Sequence, residues 1–541
     1  MKLKFGRILS LVTASAMIAA ALTACVNNSK EQSANRMLSP EKLKTAEYPL
    51  QTDEELTIWM RNHIGAQVQG YSDYSQYPRV KEIEEKTGIK LKIIYADNGQ
   101  EEDQFNLLLA SGDLPDLIYY DWMHLPGGAD EAIRSGYITE LNDLIADYAP
   151  NYCSFLEKKP EFAKMARTDS GKYYMFNNYP ANEQEITDDL ERAATCGLTL
   201  RKDWLEELSL APPETISEWY NVLKAFKEQK NTETPICFNF SDEYAYQNLI
   251  GAFGISPGFY QKNGKVMYGR AQTQYKDFLV EMRKWYTEGL LDEAIMSVSD
   301  ARVTEKMVDG SCGAGFAWIG AGIERWLNDG KKSDPDFDII AVKPPTLEKG
   351  ETSKFGNYFL PFSHNGIAVS ATSDKKELAV KFLDYGYSDE GAILYNYGIE
   401  GISYEMIDGK PVYKEPPDGM TRTDFLTLYT MITGSWPCKV LTTTREYLYS
   451  LPQQLQAIEA YKQTEYYNYI LPPISQTSDE AEETSRLERL IVNYADEMMK
   501  KFILGKEPIE NFDLYISELQ RLRIDRLMEL KQAALDRYNR R

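Results

Sequence analysis

The stretch EDQFNLLLASGDLPDLIYYDW (residues 102–122) decides the fold. An apolar run spaced for a helix stops at a polar Gly/Pro turn, and a short apolar segment follows that reads as a buried strand. That strand ends abruptly on Asp121 and Trp122. The pair reads either as a ligand-recognising edge or as a strand end beside a packed indole. Working outward, the scheme repeats. ELTIWM (55–60) reads as a strand, RVKEIEEKTGIKLKIIYAD (79–97) as helix, Gly stop and strand, and DEAIRSGYITELNDLIADYAPNY (130–152) as two helices around a turn. Alternating β and α segments predict an α/β fold with a parallel or mixed sheet.

Further along, GKYYMFNNYPANEQ (171–184) reads as a strand leaving into a loop. Residues 196–229 give a strand, a helix, a Pro-Pro break and a second helix. Thr215 and Glu218 predict a capping box for the latter. TPICFNF (234–240) and CGAGFAWIG (312–320) are strand–loop units, residues 364–415 end in a hairpin-like turn, and the last third is mainly helical. No repeat of 20–50 residues is present.

At 541 residues the chain exceeds one compact core and predicts two or more domains. The 60 basic and 82 acidic side chains leave a formal charge of −22, which argues against a nucleic-acid partner. Histidine is confined to His63, His124 and His364, with no zinc-motif spacing. GxSxG, HExxH and P-loop patterns are absent, so no catalytic or metal-ligating residue and no cofactor is assigned.

MKLKFGRILSLVTASAMIAAALTAC (1–25) joins a basic start, an apolar segment and LTAC. It reads as a signal peptide over residues 1–24 and resembles a lipobox, which would leave a lipidated Cys25. Residues 25–50 are polar and read as a tether. The other five cysteines, Cys153, Cys196, Cys237, Cys312 and Cys438, form no CxxC and predict buried thiols.

Several blocks then arrive in a familiar order. They are SGDLPDLI (111–118), GYITELNDLI (136–145) with APN (149–151), LRKDWLEELSL (200–210) followed by PPETISEWYNVLKAFK (212–227), YNYGIEGISYEMIDGKPVY (395–413), and KFILGKEPIENFDLYISEL (501–519) with AALDRY (533–538). Together they resemble the family-1 extracellular solute-binding proteins of ABC importers, in the LipO-like lipoprotein branch related to alginate-oligosaccharide-binding proteins. The resemblance implies a two-lobed, type II periplasmic-binding-protein fold with discontinuous domains, each lobe a central mixed sheet flanked by helices. Lobe 1 would comprise 51–178 with 355–415. Lobe 2 would comprise 179–348 with 416–541 and the C-terminal helices. The crossings would fall near Asn177–Asn182 and Glu348–Phe359. The alginate-binding relatives carry an Asp-rich calcium loop. The corresponding TDSGKYY (168–174) holds one Asp, so the metal is not carried over.

The implied function is a lipid-anchored, monomeric receptor on the outer face of the bacterial cytoplasmic membrane. It would bind a carbohydrate, an oligosaccharide by preference, between its lobes and deliver it to permease subunits. A secreted polysaccharide-degrading enzyme, or a surface sensor or adhesin on the same fold, are the competing functions. Sugars offer flat C–H faces and a hydroxyl rim, so stacking aromatics and charged hydrogen-bonding groups just after inter-lobe strands are the expected contacts. The candidates are Arg61, Asn62 and His63; Tyr120, Asp121 and Trp122; Asn178 beside Asn177; and Trp318, with Phe240 and Trp436 completing the set.

Overall fold

The computed structural model describes residues 38–541 apart from 61–73, 98, 124, 181–194, 358–364, 419 and 433–435. The signal segment, Cys25, most of the tether, Arg61, Asn62, His63 and all three histidines lie outside the described residues. Strands β1 (Glu55–Met60), β2 (Lys90–Tyr95) and β3 (Leu117–Asp121) alternate with helices Pro78–Thr87 and Glu101–Ser111. A short β4 (Asn178–Pro180) precedes β5 (Cys196–Arg201), β6 (Ile236–Cys237) and the hairpin β7 (Phe259–Lys262) and β8 (Lys265–Tyr268). Then come β9 (Ala314–Trp318), β10 (Ile339–Ala341), β11 (Asn365–Val369), the hairpin β12 (Tyr404–Ile407) and β13 (Lys410–Tyr413), and β14 (Cys438–Val440).

Two four-stranded sheets organise these elements, in the orders β11-β3-β1-β2 and β10-β5-β9-β6. In the first, β1 runs parallel to β2 and β3, in register from Glu55 opposite Lys90 to Met60 opposite Tyr95. The returning β11 is antiparallel to β3 and sets Asn365 opposite Asp121. A helix-linked crossover is what parallel neighbours require, and the helical period of residues 78–87 and 101–111 supplies it. The first helix stops at Gly88, whose φ of +76° and close approach to the Leu50 carbonyl leave no room for a Cβ. In the second sheet β5 is antiparallel to β9 and β10, while β6 runs parallel to β9. The expected capping box forms: Thr215 Oγ1 accepts from Glu218 N–H at 3.1 Å, and Glu218 Oε2 accepts from Thr215 N–H at 3.3 Å.

Each sheet has its own core, giving two α/β lobes. The first gathers Ile58, Trp59, Ile118, Trp122, Phe176, Ile367 and Phe382. The second sheet is covered on both faces. One carries Leu198, Leu200, Phe226 and Trp285 with Leu487, Ile491 and Leu527, and the other carries Ala317, Trp326, Ile339 and Ile458. The boundary expected at 415/416 is displaced. Met431, Trp436 and Cys438 are buried in the first core, because β14 pairs with β4 and leads the chain back past that sheet. The second core takes over later, from Ala457. Tyr538 also lies in the first core although its own helix, Ile524–Arg540, packs Leu527 and Leu530 into the second. Cys153, Cys196, Cys237, Cys312 and Cys438 are unpaired, and all but Cys153 are buried. Among the described residues no helix is long and apolar enough to cross a membrane.

Candidate ligand-binding site

The two lobes are joined at defined sheet edges. The first passage leaves the first core after Phe176 and reaches Cys196 at the start of β5. The second leaves Asn357 and reaches Asn365 at the start of β11. Asn357 is buried, and its amide donates to the Tyr244 carbonyl at 2.9 Å and the Cys196 carbonyl at 3.4 Å. Cys196 pairs with Trp318 at the end of β9, and Asn365 pairs with Asp121 at the end of β3. Both passages therefore connect the edge bearing Trp318 to the edge bearing Asp121. Eight peptide steps from Asn357 to Asn365 limit their separation to about 29 Å.

Trp318 is 40% exposed. Phe316 meets it edge-on at 6.1 Å between ring centroids, and Tyr244, 43% exposed, at 6.3 Å. Beside this corner lies a cavity of about 180 Å³, to which Asn239, Asp242, Asp300, Thr304 and Arg325 contribute polar groups. The local sequence explains the placement. β6 and β9 run parallel, so their carboxyl ends share one edge, where the loops of an open α/β sheet gather polar side chains. Asn239 Oδ1 accepts from Ser241 N–H at 2.8 Å, and Asp242 Oδ1 caps the next helix by accepting from Tyr244 N–H at 3.0 Å. Burial nevertheless holds the Asp242 carboxyl above its ordinary pKa. Thr304 Oγ1 accepts from the Trp326 indole at 3.2 Å. The helix bearing Tyr244 is anchored from behind, where buried Arg270 bridges Glu243 and Asp496 and donates to the Tyr246 hydroxyl.

The opposite edge holds Asp121, Tyr120 and Asn178 as follows. Asp121 is half-buried at the end of β3. Tyr120 is half-buried with one ring face stacked on Phe105, centroids 3.4 Å apart. Asn178 is half-buried in the β4/β14 ribbon. Its N–H donates to Asn177 Oδ1 at 2.7 Å, and Asn177 itself is buried.

Three expected contacts are corrected. Trp122 has no exposed surface, because Phe105 and Tyr120 enclose its indole at 5.7 and 5.8 Å. Phe240 packs among Phe238, Tyr246 and Phe278. Trp436 is buried edge-on to Phe382. All three fill cores. Sequence reading missed Tyr244, Asn239, Asp242 and Arg325. For Asn239, Asp242 and Tyr244 the available signal was the polar run NFSDEY (239–244) after an apolar strand; Arg325 lies outside it.

Comparison with known proteins completes the description. Residues 70–393 match the family model described as bacterial extracellular solute-binding protein. Lipoprotein LipO of Bacillus subtilis (strain 168) is 26% identical over 350 residues, covering 61% of this chain and 65% of LipO. The fructooligosaccharide ABC transporter substrate-binding protein FusA of Streptococcus pneumoniae serotype 4 is 24% identical, covering 99% of both chains. Among solved structures, the alginate-binding protein AlgQ2 without calcium ion has a TM-score of 0.71 at 26% identity, covering 90% of this chain and 99% of AlgQ2. An EF-hand mutant of FusA has a TM-score of 0.73 at 20% identity, covering 90% and 99%.

Proposed function

The chain belongs to the bacterial extracellular solute-binding protein family, and we propose that its solute is a carbohydrate, an oligosaccharide by preference, held between the lobes and passed to ABC-importer permease subunits. The observation that carries this reading is the exposed Trp318–Tyr244 corner beside a cavity edged by amide, carboxyl, hydroxyl and guanidinium groups. An indole face suits the C–H face of a sugar ring, and Asn239, Asp242 and Arg325 suit its hydroxyls. Asp121 and Asn178 would contribute from the opposite edge and the ribbon. The names of FusA and AlgQ2, a fructooligosaccharide and an alginate binder, support an oligosaccharide.

In the same reading, residues 1–24 are a signal peptide, Cys25 carries the lipid, and the segment from Cys25 to about residue 37 tethers a monomeric body to the outer face of the membrane; the tether expected to run to 50 is shortened, because helix Pro40–Thr45 and Leu50 pack on the first lobe with Leu43 and Leu50 buried in its core. LipO's description as a lipoprotein supports that anchor. Lobe 1 comprises 51–178 with 365–440, and lobe 2 comprises 179–364 with 441–541. The protein binds its ligand without altering it.

A panel of neutral and acidic oligosaccharides read by thermal shift tests the proposal. One sugar should raise Tm saturably and be recovered intact by chromatography. No stabilisation by any glycan, or cleavage of the stabilising one, would overturn it.

A further inference from the structure

A carbohydrate ligand can be neutral or carry carboxylates, and the cavity beside Trp318 bears on the choice. Its charged lining is two carboxylates, Asp242 and Asp300, and one guanidinium, Arg325. Asp300 and Arg325 are exposed, so solvent and salt screen both, and their opposite charges offset each other. Asp242 is half-buried, and the inner charge is therefore negative.

Three helices reach this cavity with their first turns: Glu243–Gly251 through Ala245, Asp300–Asp309 through Val303, and Ala321–Ser333 through Gly322. The N-terminus of a helix attracts anions. Here each one already has a carboxylate of this chain. Asp242 caps the first helix, Asp300 opens the second behind its Ser299 cap, and Glu324 lies in the first turn of the third. The attraction that would draw in a carboxylate ligand is thus used within the protein.

Asp242 is also held in one orientation. Its Oδ1 accepts from Tyr244 N–H at 3.0 Å, and its own N–H donates to the Asn239 carbonyl at 3.1 Å. Among the described residues no donor is bonded to its Oδ2. An ionised carboxylate accepts hydrogen bonds and donates none. It suits a sugar hydroxyl and has nothing to offer a uronate carboxylate, which is another acceptor. Burial, and after it the charge of Asp300, hold the Asp242 carboxyl above its ordinary pKa in spite of the cap bond. A ligand carboxylate would add a further like charge to that strained group.

Resting on the carbohydrate reading, we propose that the bound oligosaccharide is uncharged and that Asp242 sets this specificity. The helix cap fixes one carboxylate oxygen, and the other accepts from a sugar hydroxyl at a position from which a uronate is repelled. Trp318 supplies the stacking face beside it.

The experiment titrates the full chain calorimetrically with fructo-, xylo- and manno-oligosaccharides, and with oligogalacturonates and oligoalginates of equal length. Each titration is run at low salt and at about 0.5 M sodium chloride. A neutral oligosaccharide should be the tight ligand, with Kd unchanged by salt to within about twofold, and every uronate should bind about tenfold more weakly or worse. Asp242→Asn should keep Tm, because Asn caps a helix as well as Asp does. It should weaken the neutral ligand by about 5- to 10-fold, since a neutral acceptor makes the weaker bond. It should also narrow the gap to the uronates, which a merely structural role would not do. A uronate bound within tenfold of the best neutral sugar, or an Asp242→Asn protein that binds the neutral sugar as tightly as the natural chain, would overturn the proposal. The uronate arms on the natural protein decide the matter whatever the variant does. If a uronate is the tight ligand, the charge assignment falls and the carbohydrate reading stands. If no glycan binds, the carbohydrate reading falls and the charge assignment with it.

Discussion

Replacing Trp318 by Ala should weaken sugar binding without unfolding the protein, and replacing Trp122 should do the reverse. A tryptophan side chain presents about 250 Å² at most. The 40% of Trp318 left open gives a sugar face about 100 Å² to cover, worth about 2.5 kcal/mol at ~25 cal/mol per Å², or about 60-fold in Kd. The cost of ordering ligand and side chain brings the expected loss to between about 10- and 60-fold. Trp318 meets Phe316 and Tyr244 edge-on and keeps 40% of its surface exposed, so truncation should cost less stability than at a buried tryptophan. Trp122 has no exposed surface, and Trp122→Ala should cost about 3–5 kcal/mol of stability through the cavity it leaves. Trp122→Phe fills more of that space and should keep both fold and affinity. The assay is isothermal titration with the best sugar of the panel, well below each variant's Tm, beside urea denaturation of the same samples. A Trp318→Ala protein that binds within threefold of the natural chain would refute the reasoning. So would a folded Trp122→Phe protein that has lost binding, because a side chain without exposed surface has no way to touch the ligand.

Three further outcomes follow from the cores. Asp384 accepts from Tyr152 N–H and the Asn151 amide, yet burial outweighs both bonds and raises its pKa to about 6. The folded value lies above the unfolded one of about 3.9, so the folded state holds the extra proton between them. Its contribution is fully present below pH ~4 and is lost as pH rises through about 6, by about 3 kcal/mol. Asp384→Asn should therefore flatten urea stability against pH over that window, and an unchanged slope would count against it. Thr215→Ala, which removes half of the capping box, should cost about 1 kcal/mol in the same assay. Alkylation of the native protein followed by peptide mapping should label half-buried Cys153 first. Cys196, Cys237, Cys312 and Cys438 should react only after denaturation, since burial removes access and pushes the Cys312 thiol up to about 12.

Local patterning was enough for much of the architecture. The alternation in ELTIWM became β1 with the expected limits, Gly88 stopped its helix, and Thr215 capped another. Each of these depends on neighbours a few residues apart. TPICFNF reads as a strand–loop unit without a fixed boundary, and only Ile236 and Cys237 enter the ladder. Asn239 turns the chain onto its own side chain and Asp242 starts a helix, an Asx competition that apolar periodicity does not register. The late return to the first core at 431–438 was illegible for another reason: it depends on β14 finding β4, some 260 residues earlier.

The two tryptophans show where site reading from sequence ends. Trp122 and Trp318 each close an apolar strand beside a polar turn, and both are set at a sheet edge that the lobe passages reach. What separates them is a third element. Helix Glu101–Ser111 lays Phe105 flat on Tyr120 and shuts the indole of Trp122 into the corner. Helix Glu243–Gly251 instead brings Tyr244 up to Trp318 edge-on and leaves both rings open. Phe105 is a core residue by every local criterion and Tyr244 a surface one, so the difference was encoded, but in positions 17 residues before one tryptophan and 74 before the other. Local sequence therefore identifies which strand ends can bear a ligand, while the helix packed across each end decides whether its aromatic residue is available to one.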